Sequence, residues 1–332
     1  MSGSSDNAVP ITEEEMMAAM MQEALAWGTP PRLYLSYGMV AMKGMPPVLT
    51  DAVEAAPSFT LLTPPVGLDF FAVLDGRGLG AAAAAASGEE ESERLVALLR
   101  DALATQVYLK LMCSDSPRLF LDGMSYNGWW ATTLREAFRV FHEACSQGEH
   151  GVDAPAATAI VALVHEKYLV IGNHGASKAV LSRDGELVEL SSDSQSLHMS
   201  KQATDASVSS APAPASAAAG VVVDVVVVER EARDEFLILG SAALWDKVAP
   251  AAACAHVRQR LGRTSRIIMP WETHITDTDD MPMLLAKELA KKAVHAGSRD
   301  NISVGIVIFR DFWAIRHTQA ATASKAASAL AL

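Results

Sequence analysis

Apolar residues recur along this chain in two rhythms, and the switches between them outline its elements. From Tyr34 to Met42, the residues Tyr34, Ser36, Gly38, Val40 and Met42 alternate with Leu35, Tyr37, Met39 and Ala41, the two-residue period of a strand. Lys43 to Ala52 reads as a loop by its prolines, and Phe59 to Leu62 and Phe70 to Leu74 predict the next two strands. Leu95, Leu98, Leu99 and Ala102, and then Leu134, Ala137, Phe138, Phe141 and Cys145, recur at helical spacing and predict two helices. Strand patterns return at Thr158 to Val164 and Tyr168 to Gly172, then at Lys178 to Ser182 and Glu186 to Leu190, the last pair joined by the hairpin signal Arg183-Asp184-Gly185. Val221 to Val228 and Phe236 to Leu239 are strand-like. Ala251 to Leu261 predicts a helix, and Leu284, Leu285, Leu289, Ala293 and Val294 another that Gly297 closes. Ile302 to Phe309 alternates as a last strand. Hairpins and meanders with segregated helix pairs suit antiparallel sheets covered by helices, an α+β arrangement, and not a doubly wound parallel sheet.

The flanks lack this regularity. Residues 1–31 read as an extension in which Ile11 to Trp27 forms a helix, with Thr12 and Glu15 at capping-box spacing and Met16, Met17, Met20, Met21 and Leu25 on one side. Such a methionine face packs against a domain or serves as an adaptable partner groove. The Ser/Ala/Pro-rich stretch 191–220 reads as a disordered insertion in a domain spanning 32–310, and 311–332 as a flexible tail. Half of the 332 residues are hydrophobic, enough for a substantial core, and the formal net charge is −12. That charge argues against nonspecific nucleic-acid binding and offers no polybasic route to anionic membranes; it favours cations and basic partners. Cys113, Cys145 and Cys254 are far apart with no Cys-x-x-Cys spacing, the usage of reduced intracellular thiols. Val221 to Val228 is too short to span a bilayer, so membrane insertion is not expected. The expectation is a soluble monomer of the cytoplasm or nucleus.

Chemistry concentrates where Phe70 to Leu74 halts at Asp75-Gly76-Arg77-Gly78-Leu79-Gly80. A carboxylate at a strand end among residues without Cβ can approach an ion or a phosphate, although the same letters also describe an ordinary Asp-Gly turn. Gly76 to Ala81 also matches Gly-x-Gly-x-x-Ala, the dinucleotide fingerprint. The acid that this fingerprint needs, Asp101, lies inside a helical pattern, and Asp75 would repel a pyrophosphate. Asp300-Asn301 precedes the last strand, so two loop aspartates at strand ends, Asp75 and Asp300, could meet around a hard divalent cation or simply make two turns.

Five motifs in order resolve the choice by resemblance. Phe70-Phe71-Ala72-Val73-Leu74-Asp75-Gly76-Arg77-Gly78 resembles Phe-Phe-x-Val-x-Asp-Gly-His-Gly of the type 2C (PPM-type) metal-dependent Ser/Thr protein phosphatases. Thr158 to Leu163 resembles that family's Thr-Ala-x-Val-x-Leu, and Asn173 to Leu181 its Asn-x-Gly-Asp-Ser-Arg-Ala-Val-Leu. Asp234 to Asp246 resembles its Asp-Glu-Phe-Leu-Ile-Leu-Ala-Ser-Asp-Gly-Leu-Trp-Asp, and Gly297 to Asn301 its Gly-Ser-Arg-Asp-Asn. The resemblance covers roughly Tyr34 to Arg310, is plant-like, and implies a four-layer α-β-β-α sandwich. It also implies a pair of Mg or Mn ions that activate a water against phosphoserine or phosphothreonine.

On the matching positions, Asp75, Gly76, Asp300 and Asp51 are the implied metal-site residues. The departures fall on the chemistry: Pro46 stands at the phosphate-gripping Arg, Arg77 at the motif His, Ala176 at the Asp of Gly-Asp-Ser-Arg, and Ala242 at the Asp of Ser-Asp-Gly. Fewer carboxylates leave less charge to hold dications, and a Pro cannot grip phosphate as a bidentate Arg does. The expectation is a pseudophosphatase that binds a kinase, receptor or phosphoprotein, its metal binding reduced to one ion or lost. The alternative is a weak Mg- or Mn-dependent phosphatase.

Overall fold

The computed structural model describes residues 34–60, 68–76, 81–112, 127–146, 158–165, 167–191, 222–263 and 281–309. The expected helix at Ile11 to Trp27, most of the insertion at 191–220, the tail at 311–332 and Arg77 lie outside these residues.

The chain runs β1 (Tyr34–Met42), β2 (Ala52–Thr60), β3 (Leu68–Asp75), α1 (Ala81–Met112), α2 (Asn127–Ser146), β4 (Thr158–Val164), β5 (Tyr168–His174), β6 (Lys178–Arg183) and β7 (Glu186–Glu189). It continues with β8 (Asp224–Glu229), β9 (Asp234–Gly240), α3 (Ala242–Trp245), α4 (Pro250–Arg263), α5 (Met281–His295) and β10 (Ile302–Phe309). The strands form two five-stranded antiparallel sheets, ordered β1-β10-β9-β6-β7 and β2-β3-β4-β5-β8.

Strand periodicity converts directly into layers. Successive side chains point to opposite faces, so a strand buried on both faces carries two apolar sets. In β3, Phe70, Ala72 and Leu74 pack with Leu95, Leu99, Leu103 and Val107 of α1 and with Trp130, Leu134 and Phe138 of α2. Phe71 and Val73, between them, pack with Ile160, Leu169, Leu181, Leu237, Leu239 and Val307 from both sheets. The other sheet presents Phe236, Ile238, Val304 and Ile306 to α3, α4 and α5 through Leu244, Val257, Leu285 and Leu289. Three packed interfaces separate four layers, α-β-β-α. Trp130, 1% exposed, anchors the first interface, where truncating a buried aromatic typically costs about 3–5 kcal/mol.

One expected element is displaced. The second strand starts at Ala52 and ends at Thr60, whereas Phe59 to Leu62 was the predicted stretch. Its alanines and Pro57 carry little strand propensity, and they are tolerated because β2 is an edge strand whose register against β3 shifts between Ala56 and Thr60. Pairing with β3, which is buried along its whole length, supplies what propensity does not.

Candidate functional site

The inner faces of both sheets turn polar at the same end of the sandwich. Asp75 continues the inward series Phe71, Val73 at the last residue of β3, and Asp51 precedes Val53 on the neighbouring strand. Across the interface, Ser303 begins the inward series of β10 that ends at Val307 and Phe309, and Ser241 ends that of Leu237 and Leu239. Asp51 and Asp75 are each 2% exposed, and Ser241 and Ser303 are fully buried.

These groups are tied together. Asp51 Oδ1 accepts from the Gly76 amide at 3.3 Å, and Asp51 Oδ2 accepts from the Ser303 hydroxyl at 3.1 Å. The Asp51 carbonyl accepts from Ser92 Oγ of α1 at 3.4 Å. Ser303 and Ser241 are linked twice: the Ser241 amide donates to the Ser303 carbonyl at 2.9 Å, and the Ser303 amide to Ser241 Oγ at 3.0 Å. Burial first, then the Asp75 carboxylate, with Asp300 adding a smaller push, raise the Asp51 carboxyl from 3.8 to about 7 against the lowering effect of its Ser303 and Gly76 hydrogen bonds. The charges of Asp75 and Asp300 therefore lie close enough to act on Asp51. The tertiary structure has brought together three carboxylates that are far apart in sequence.

A second strap closes the rim. Asn301, 1% exposed, holds the Lys43–Thr50 loop from both ends of its carboxamide. Its Oδ1 accepts from the Gly44 amide at 3.0 Å, while its Nδ2 donates to the Val48 carbonyl at 3.1 Å and to Thr50 Oγ1 at 3.2 Å. The Met45 amide donates to the Arg299 carbonyl at 2.8 Å, and Asp300 Oδ1 accepts from the Asn301 amide at 2.9 Å. The two backbones lie so close at Gly44 that a Cβ there would sit 2.1 Å from the Asp300 carbonyl oxygen. Pro46 is thereby held beside Asp300, and the two line a groove of about 620 Å³ together with Met45, Ala243, Asp246 and Arg299.

Of the residues that sequence singled out, Asp51, Asp75, Gly76, Asp300 and Pro46 converge on this end. Ala242, 4% exposed, starts α3 directly after Ser241. Ala176 lies in the bend between β5 and β6 and is half-buried. Ser303 and Ser241 were not singled out. The signal for Ser303 was present, since it is a hydroxyl on the inward set of an otherwise apolar strand. Among the described residues, no group of three or more His, Cys, Asp or Glu is arranged to hold a metal ion.

This sandwich, with acidic residues at one end of its inner layer, is the architecture of the PPM-type phosphatases. A family model, protein phosphatase 2C, matches residues 211–302. Protein phosphatase 2C 77 of Arabidopsis thaliana is 24% identical over 316 residues, covering 82% of this chain and 70% of that protein. Among solved structures, a serine/threonine phosphatase of Mycobacterium tuberculosis has a similar fold, with a TM-score of 0.52 and 21% identity over 84% of this chain and all of that one (100%). A sex-determining protein of C. elegans reaches a TM-score of 0.57 at 15% identity, covering 94% of this chain and 78% of that one. The family-model match and the plant relatives support a type 2C, PPM-type protein phosphatase relationship, a family that is in general Mg- or Mn-dependent.

Proposed function

We propose that this chain is a pseudophosphatase: a phosphatase-fold protein that engages phosphosignalling partners such as a kinase, a receptor or a phosphoprotein without turning them over. The observation that carries this reading is Ala242, a buried methyl group where the family's Ser-Asp-Gly would present a carboxylate. Pro46 and Ala176 supply neither the guanidinium nor the carboxylate of the corresponding motifs. Of the acids that remain, Asp51 already has both oxygens engaged by Gly76 and Ser303. Asp75, Gly76, Asp300 and Asp51 do not fit a two-ion centre, because carboxylate charge is what holds hard dications. The test is a phosphothreonine peptide incubated with purified protein and millimolar Mn. We expect phosphate release indistinguishable from that without protein, and turnover at the rate of active type 2C enzymes would overturn the reading.

One observation favours a second reading, a weak Mg- or Mn-dependent Ser/Thr phosphatase. Asp75 and Asp51 are buried at one end of the inner layer and Asp300 lines the groove beside Pro46, so a rearrangement that frees the Asp51 oxygens from Gly76 and Ser303 would let these acids hold a single ion, which would supply activation of a water against phosphoserine or phosphothreonine. Calorimetric titration with Mn separates the two: saturable heat that Asp75→Ala abolishes, together with slow turnover, supports the second reading.

A further inference from the structure

The outer face of α5 is charged against the rest of the chain. The helix buries Pro282, Leu285, Ala286, Leu289, Ala290 and Ala293. Leu284, Lys287, Lys291 and Val294, spaced at i, i+3, i+7 and i+10, form the opposite face with His295 beside them, and all five are exposed. Glu288, the one acid in the helix, lies to the side and is taken up by α4: Arg260 donates to its two oxygens at 2.8 and 3.1 Å, and His256 Nε2 lies 2.8 Å from its Oε2. Among the described residues, no carboxylate forms an ion pair with Lys287 or Lys291. Lysines alone are an ordinary solvated face. Here they stand between two exposed apolar residues, Leu284 at 42% and Val294 at 41%, on a chain whose net charge is −12.

The chain itself carries a complementary segment. Residues 11–27, which the sequence predicts as a helix, place Glu13, Met16, Met20, Glu23 and Trp27 at i, i+3, i+7, i+10 and i+14, and residues 1–31 contain no lysine or arginine. The tail at 311–332 is unsuited, with Arg316 and Lys325 against one acid, Asp311. In the stretch 264–280, Asp277, Asp279 and Asp280 fall within four residues of Met281, at the start of α5 and not along it.

The path of the chain sets the orientation. α5 leads into β10 at Ile302, which pairs with Met42 at the far end of β1, and its first turn lies on Gly38, where a Cβ would be 2.2 Å from the Met283 nitrogen. From Gly38 the strand continues about 14 Å to Tyr34, past the start of α5. The six residues 28–33 span up to about 20 Å, enough to bring Trp27 back to Leu284. We propose that residues 11–27 dock as an acidic amphipathic helix, antiparallel to α5, on the face bearing Leu284, Lys287, Lys291 and Val294. In this register Trp27 meets Leu284, Glu23 falls between Lys287 and Lys291, Met16 meets Val294, and Glu13 reaches towards His295 and Arg299. The docked segment is about 25 Å long against about 22 Å for α5, so it covers the whole face.

The test is hydrogen–deuterium exchange of the full chain at low salt, read by mass spectrometry on peptides within 11–27. An isolated helix of this length is marginal in water, so without docking these amides would exchange nearly as fast as an unstructured chain. In the wild type they should exchange at least about tenfold more slowly. Lys287→Glu with Lys291→Glu should speed their exchange roughly five- to twentyfold, because each exposed ion pair contributes up to about a factor of five and reversal adds a repulsion. Peptides from β10 should be unchanged, which shows that the fold is intact. Adding Glu23→Lys to that variant should restore most of the protection. Wild-type exchange in 11–27 at the unstructured rate, protection indifferent to the lysine reversal, protection lost on dilution because a second copy covers the face, or release of 264–280 in place of 11–27 would each overturn the proposal.

Discussion

Replacing Asp51 with Asn removes a charge that the fold holds at a cost while keeping the side-chain shape. The amide oxygen can still accept from the Gly76 amide, and the Ser303 hydroxyl can rotate to accept from the new Nδ2. In the wild type, burial and the Asp75 and Asp300 charges raise the Asp51 carboxyl from 3.8 to about 7. The folded state therefore keeps this proton to higher pH than the unfolded chain does. Its contribution to stability is fully present below about pH 4, is lost progressively as pH rises, and is gone above about pH 7. About three pKa units correspond to roughly 4 kcal/mol, a large share of the 5–15 kcal/mol typical of domain stability. Urea unfolding followed by tryptophan fluorescence in EDTA, between about pH 5 and pH 8.5, measures this directly. Wild-type stability should fall towards pH 7 and then level off, whereas Asp51→Asn should lack this component and be the more stable protein at pH 8. Parallel stability curves for the two proteins would show that the carboxylate cluster is not the cause.

Other consequences concern the same end of the sandwich. Asn301→Ala deletes three hydrogen bonds to the Lys43–Thr50 loop, at about 1 kcal/mol net each, so it should cost about 3 kcal/mol and speed tryptic cleavage at Lys43. Gly44→Ala drives a methyl group to 2.1 Å from the Asp300 carbonyl oxygen and should lower Tm, with a cost of about 1–3 kcal/mol. Gly128→Ala, in α2 with nothing within 4 Å of the new Cβ, should raise stability by about 0.5–1 kcal/mol, and calorimetry of the two Ala variants should show opposite signs. Ala242→Asp adds a buried carboxylate next to Ser241, so it should destabilise the protein in EDTA; if it lies near the remaining acids, millimolar Mn should restore Tm, and a Tm indifferent to Mn would place residue 242 away from them.

Where apolar periodicity is strong, the elements are legible in the sequence itself. The apolar run Thr158 to Val164 and the alternating stretch Ile302 to Phe309 mark their strands with the boundaries the structure shows, because both are buried along nearly their whole length and their sequences are correspondingly apolar. The β2 strand was misplaced because its formation depends on a partner rather than on its own alanines and Pro57. Local sequence cannot report a pairing made elsewhere.

The same division applies to the site. The residues of Asp75-Gly76 and Asp300-Asn301, the small side chains at 176 and 242, and the proline at 46 are facts of the sequence, and so is the family resemblance they modify. That Asp51 spends its oxygens on Ser303 and Gly76, and that Asn301 straps down the loop bearing Pro46, was decided only in three dimensions. Register across two sheets and their packing against each other bring together groups about 250 residues apart, and the burial that follows, not the letter Asp, raises the Asp51 carboxyl.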